Sequence, residues 1–128
     1  MIQGKWAWIK ITKLGNLQTV GGTVGFRDTQ ITDLGKLQKI GGNAQFSESK
    51  VINLCNLETI GGYAQFSESP IKSLGKLKEI GGHAVFIFSQ VTDLGNLQKV
   101  GMNVYLKESN LKKSDFENIE IGGGIVEK

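Results

Sequence analysis

His83 and Cys55 are the two residues whose side chains are typical catalytic bases and nucleophiles, and each residue type occurs once in the chain. A cysteine–histidine dyad requires the thiol and the imidazole to lie within hydrogen-bond reach of each other. The sequence repeat described below places Cys55 on an arc opposite the strand that holds His83, with the core between them. We therefore expect no catalytic site and predict that the protein is not an enzyme.

A second group with potential chemistry is a column of acidic residues at one position of successive repeats, namely Asp28, Glu48, Glu68 and Glu108, interrupted by Phe88. Stacked carboxylates could bind a hard cation. We favour the interpretation that these side chains lie on a solvated turn. Because a single histidine and a single cysteine cannot form a metal-ligand cluster, we predict no metal site and no cofactor.

The chain that must position these residues is built from one twenty-residue repeat without insertions. Its copies begin at Ile11, Ile31, Val51, Ile71 and Val91. A fixed period of this kind is typical of a solenoid, because each repeat can bury its apolar side only against its neighbours. We predict a mainly β, right-handed stack of about six coils, with one parallel sheet and little helix.

Apolar residues recur in columns at fixed offsets within the repeat. Two of these columns are Leu17, Leu37, Leu57, Leu77, Leu97 and Phe26, Phe46, Phe66, Phe86, Leu106. The alternation of polar and apolar residues over 43–46 predicts a half-buried strand, and its copies predict strands around 23–27, 43–47, 63–67, 83–87 and 103–107. The Gly–Gly pair before most of these strands indicates a tight corner.

The repeat defines one domain, residues 1–128, with distinct segments at its two ends. Residues 1–22 are predicted to form an N-terminal cap and the first coil, with Trp6 and Trp8 covering the end of the core. Residues 23–110 are predicted to form the regular coils. Residues 111–128 are predicted to form a capping coil, because the register slips by one residue there and Phe116 replaces the expected leucines.

In this arrangement the chain resembles the leucine-rich repeat family, whose pattern is L-x-x-L-x-L-x-x-N/C-x-L. In the second coil Gly41, Ala44, Phe46, Ser49 and Val51 stand at the successive pattern positions. The glycine replaces the first leucine, and serine or threonine replaces the asparagine. The Ile–Gly–Gly strand entry is similar to short bacterial repeats and receptor L-domains. The resemblance implies a rigid solenoid whose sheet face binds a partner.

Composition excludes several classes of protein. The formal net charge is +3, and lysines alternate with acidic residues instead of forming the basic stripe of a dedicated nucleic-acid surface. No apolar stretch suits a membrane span or a secretory leader, so we expect a cytoplasmic protein. A leader trimmed from the sequence would change that expectation.

Candidate binding residues are those that depart from the repeat on the outward side of the predicted strands. In the fourth coil Val85, Ile87 and Phe88 stand where other coils have polar or acidic residues. An exposed apolar patch usually marks a contact site, and tyrosine around it is typical of interface hot spots. The predicted partner-binding residues are Tyr63, His83, Val85, Ile87, Phe88 and Tyr105.

These residues predict a non-enzymatic protein-binding module, such as a small inhibitor or adaptor that occludes or recruits a partner protein. Homodimerisation through the same patch is a second interpretation. A third is nucleic-acid binding through Arg27, Lys107, Tyr63 and Tyr105. A fourth is a structural repeat belonging to a larger surface protein.

Overall fold

The computed structural model describes residues 14–128. The chain winds into a parallel β-solenoid with a spacing of 20 residues and almost no helix, which confirms the predicted fold class. Each regular coil contributes two short strands. The strands are β1 Thr19–Val20, β2 Val24–Gly25, β3 Lys39–Ile40, β4 Ala44–Gln45, β5 Thr59–Ile60, β6 Ala64–Gln65, β7 Glu79–Ile80, β8 Ala84–Val85, β9 Lys99–Val100, β10 Val104–Tyr105, β11 Glu120–Ile121 and β12 Ile125–Val126.

These strands form two six-stranded parallel sheets where the sequence predicted one. Sheet A contains the odd-numbered strands and sheet B the even-numbered strands. Sheet B is the predicted sheet, and its strands are shorter than expected. Sheet A was missed because the residues around its strands do not alternate between polar and apolar, as in 37–40, where Gln38 and Lys39 are both polar. A corner separates the two strands of each coil and so forms the boundary of both sheets. It is a Gly–Gly pair in the first four coils and Gly101–Met102 in the fifth.

Two β-turns complete each coil. In the second coil the amide of Ser49 donates to the carbonyl of Phe46 over 3.2 Å, and Glu48 has a φ of 54°. A positive φ at the third turn position is the type II geometry. The other turn spans 54–57 in the third coil, where the side chain of Asn53 accepts from the amide of Cys55 over 2.8 Å. Such an Asx contact stabilises a turn locally.

The core lies between the sheets and the turns, and the predicted apolar columns fill it. Phe46 and Phe66 are fully buried, as the predicted register required. The rings of Phe26, Phe46, Phe66 and Phe86 stack with centroids 5.3–5.4 Å apart and planes within 8° of parallel. The serine or threonine that lies three residues after each of these phenylalanines is also buried. The hydroxyl of Ser69, for example, donates to the carbonyl of Phe66 over 3.0 Å.

The first glycine of each pair permits the coils to approach closely at the corner. A Cβ atom at Gly81 would lie 2.3 Å from the carbonyl oxygen of Gly61 in the preceding coil. That separation is far inside van der Waals contact, and the obstructing atom belongs to the backbone. Gly101 and Gly122 continue this column with equally short approaches. The glycines are therefore required by the spacing between coils.

The last coil departs from the regular period. Val104 pairs with Ile125 and Lys99 with Glu120, an offset of 21 residues, as the one-residue slip predicted. A 3₁₀ turn spans Lys113–Phe116 and buries Phe116. The predicted capping role of Trp6 and Trp8 lies outside the described residues.

Candidate functional site

The candidate site lies on the outward face of sheet B, around strand β8. Val85 pairs in register with Gln65 on one side and with Tyr105 on the other. The ring of His83 lies 5.6 Å from that of Tyr105, centroid to centroid. Val85 and Tyr105 thus lie on neighbouring strands of one face, and Tyr63 and His83 directly precede β6 and β8. Ile87 and Phe88 lie in the turn after β8.

The predicted patch is less exposed than the sequence suggested. Tyr63, His83, Val85, Ile87 and Tyr105 are half-buried, because side chains on adjacent parallel strands, ~4.8 Å apart, cover one another's flanks. Phe88 differs, with 56 % of its surface exposed. The face therefore presents one projecting aromatic ring beside a half-buried apolar floor.

Phe88 also has an unfavourable backbone conformation. It occupies the third position of the turn that follows β8, with a φ of 56°. Glu48, Glu68 and Glu108 have the same conformation in their own coils. A bulky residue at positive φ is uncommon, since its Cβ crowds the backbone. Neither burial nor backbone preference therefore explains a phenylalanine at this position.

His83 takes part in hydrogen bonding between coils. Its Nδ1 accepts from the amide of Asn103 in the next coil over 3.1 Å. Asn43 makes the equivalent contact, because its Oδ1 accepts from the amide of Tyr63 over 2.9 Å. The tyrosine hydroxyl in turn accepts from Gln45 Nε2 over 2.6 Å. His83 therefore has a structural role in addition to any contact with a partner.

Met102 is an exposed apolar residue near this face that the sequence analysis did not include. It lies at the corner that leads into β10 and is 49 % exposed. The same position is glycine in the neighbouring coils, as in Gly82 and Gly123. That departure from the glycine column was visible in the sequence and would have identified it. Ile52, exposed by 61 %, is a further apolar surface residue, and it lies outside sheet B.

The surface beside Phe88 is acidic. Glu68 and Glu108 occupy its column in the adjacent coils, and within residues 14–128 neither forms an ion pair. Arg27 pairs with Glu48 through a 2.8 Å contact between exposed side chains. In this described part of the chain, no three His, Cys, Asp or Glu side chains are grouped closely enough to hold a metal ion.

Cys55 and His83 lie in different parts of different coils. Cys55 is half-buried in the turn over 54–57, with a φ of 52°. His83 directly precedes β8. Among the described residues, no hydrogen bond joins the two side chains. A shallow concavity lies elsewhere, at the C-terminal coil, where Phe116 and Ile125 form part of its lining.

Comparison with known proteins assigns neither a family nor a function to this chain. No protein-family model, curated protein or solved structure matches the chain significantly. The resemblance to leucine-rich repeats therefore stays a prediction from the residues. Over residues 14–128, no helix is both long enough and apolar enough to cross a bilayer.

Proposed function

We propose that this protein is a non-enzymatic binding module that contacts a partner protein through the outward face of sheet B. The main support is Phe88, which is exposed at a turn position where the other regular coils have glutamate or aspartate. An exposed phenylalanine at positive φ has a cost in water and in backbone strain. Contact with a partner would remove the first of these costs.

The rest of the face is suited to such a contact. Val85 and Ile87 provide an apolar floor, and Tyr63 and Tyr105 border it on the neighbouring strands. Aromatic side chains surrounded by partly covered neighbours are typical of interface hot spots. Parallel strands joined by backbone hydrogen bonds hold the face rigid, so binding orders few groups. A rigid face of this kind would serve an inhibitor or an adaptor.

Nucleic-acid binding is the weaker alternative. It would require cations free to meet phosphates, whereas the guanidinium of Arg27 is paired with Glu48. Lys107 is exposed, but Glu108 follows it directly in sequence. The charges around this face therefore favour a protein partner over a nucleic acid.

The proposal is tested by the double substitution Ile87→Asp with Phe88→Glu. We expect the melting temperature to remain close to that of wild type, because three other coils have glutamate at the position of Phe88. The coils with Ser47 and Ser67 likewise have a polar residue at the position of Ile87. We expect partner binding to be lost in a pull-down from an extract of the source cells. Ile52→Asp is the control for adding a carboxylate, since it replaces the exposed Ile52 by aspartate outside sheet B.

Sedimentation of the same variants separates the two kinds of partner. If wild type sediments as a dimer and the double variant as a monomer, the partner is a second copy of this chain. If the double variant retains all the associations of wild type in both assays, the proposed function is wrong.

A further inference from the structure

The dimensions of the apolar surface limit what can dock on it. Phe88 lies at the corner that ends β8, and Met102 lies at the opposite corner, one coil further along. We call the surface between them, formed by His83, Val85, Ile87, Phe88, Met102 and Tyr105, the apolar band. Strand geometry gives it a length of about 16–20 Å and a width of about 10 Å.

A surface of that size can form the apolar centre of a protein interface but is too small to form the whole interface. Its area is on the order of 200 Å², whereas a standard interface covers about 800 Å² on each partner. The width of the band matches the diameter of about 10 Å of one helix or extended segment. The size of the band therefore favours one short segment of the partner with a few apolar side chains.

The charges beside the apolar band indicate which residues flank the apolar side chains in the partner segment. The amide of Glu68 donates to the carbonyl of Phe88 over 3.1 Å, and the amide of Phe88 donates to the carbonyl of Lys107. These bonds place Glu68 on one side of Phe88, and Lys107 and Glu108, which are neighbours in sequence, on the other. In the other regular coils the position of Phe88 is filled by Asp28, Glu48, Glu68 and Glu108. The position before it holds Arg27 and Lys107, and Lys128 lies beside Lys107 in the last coil. The column of turn positions that contains Phe88 is therefore acidic, although the whole chain has a net charge of +3.

We infer, on the basis of the proposed function, that the partner presents a short apolar segment flanked by lysine or arginine. The apolar side chains cover Phe88 and the floor formed by Val85 and Ile87. The flanking cations meet the carboxylates of Glu68 and Glu108, which have no ion-pair partner within residues 14–128. Opposite charges at the rim of an interface set specificity and increase the association rate.

A second copy of the chain fits this surface less well. A two-fold contact centred on Phe88 would bring Glu68 and Glu108 of one copy close to the same residues of the other. Among the described residues, each copy offers Lys107 and the neighbouring Lys128 against these carboxylates, and both lysines lie on the same edge as the acids. Arg27 is already paired with Glu48. Like charges facing one another across an interface are unfavourable.

The test is selection of peptides from a random linear library displayed on phage, with wild-type protein as the target. Counter-selection uses Phe88→Glu, which should keep the fold because other coils have glutamate at this turn. That variant has one carboxylate more than wild type, so the counter-selection removes peptides that bind by charge alone. We expect the enriched peptides to combine aliphatic or aromatic residues with flanking lysine or arginine.

Synthetic copies of the enriched peptides are then measured by fluorescence anisotropy at low and at high salt. Glu68→Gln with Glu108→Gln should weaken their binding about 3- to 10-fold at low salt, and less at high salt, as expected for exposed ion pairs. The matched control, Glu58→Gln with Glu79→Gln, removes two exposed carboxylates outside sheet B and should leave binding unchanged.

The outcomes separate this inference from the proposed function. Peptides that require Phe88 but lack basic residues, or that bind the glutamine variant as tightly as wild type, would overturn the charge inference and leave the binding function in place. A library with no enrichment over the Phe88→Glu variant would contradict both. A dimer of wild type that dissociates on Phe88→Glu would assign the band to a second copy and overturn the inference about a basic segment.

Discussion

His83 shows how one side chain on this face can serve the fold without any partner. Its Nδ1 accepts the amide proton of Asn103, as Asn43 Oδ1 accepts that of Tyr63 two coils before. Both side chains stand at the same position of the repeat. The structural role therefore requires a side chain with a hydrogen-bond acceptor atom, which both histidine and asparagine have.

We therefore predict that His83→Asn will preserve the stability of the protein, whereas His83→Ala will lower it. Loss of the acceptor leaves the half-buried Asn103 without that hydrogen bond, at a cost of about 0.5–1.5 kcal/mol. Urea denaturation of the two variants measures the difference. Equal stability of the alanine and asparagine variants would show that the bond contributes nothing.

The sequence did not reveal this role, for a physical reason. A lone histidine on an outward strand position is compatible with a contact site, a catalytic group or a hydrogen-bond acceptor. Only the distance between its Nδ1 and the backbone of the next coil distinguishes them. Phe88 was identifiable because three other coils have glutamate at that position. Met102 could have been found by the same comparison, since neighbouring coils have glycine there.

At the scale of the elements, the glycine corner determines how closely successive coils approach. Sheet A and sheet B both end at this corner, and the backbone of each coil passes directly over that of the previous one. At Gly81 a methyl group would contact the carbonyl of Gly61. At Gly124 a methyl group would meet no atom within 4 Å, and the residue does not require positive φ.

We predict that Gly81→Ala will destabilise the protein by about 1–3 kcal/mol, the usual cost of overpacking. Gly124→Ala is the matched control and should be neutral or slightly stabilising, because alanine reduces the freedom of the unfolded chain. Thermal melts of the two variants provide the test. A melt in which Gly124→Ala is the more damaging change would contradict the role assigned to the corner.

The existence of a corner was predictable from the Gly–Gly pairs, whereas the second sheet was not. A strand such as Lys39–Ile40 shows no alternation of polar and apolar residues around it in the sequence. Its identity depends on pairing with the coils on either side, which is a property of the stack. The strands of sheet B were predicted because alternation extends over four residues, as in 43–46.

At the scale of the whole molecule, the solenoid is a linear array in which each coil contacts its neighbours. The aromatic stack runs through this array, and Phe66 lies between Phe46 and Phe86, with ring centroids about 5.3–5.4 Å away on each side. In the fifth coil Leu106 fills the same column and is buried. The column therefore accepts leucine where neighbouring groups can close around it.

The stability of such an array is approximately a sum of coil terms and of interfaces between neighbouring coils. A cavity in a central coil weakens two of these interfaces at once. We predict that Phe66→Ala will lower the free energy of unfolding by roughly 3–5 kcal/mol, as expected for a large-to-small change in a packed core. Phe66→Leu, the matched control, should cost distinctly less, because it leaves a smaller cavity and reproduces the residue of the fifth coil. Urea denaturation measures both, and an alanine variant as stable as the leucine variant would show that filling this column does not stabilise the stack of coils.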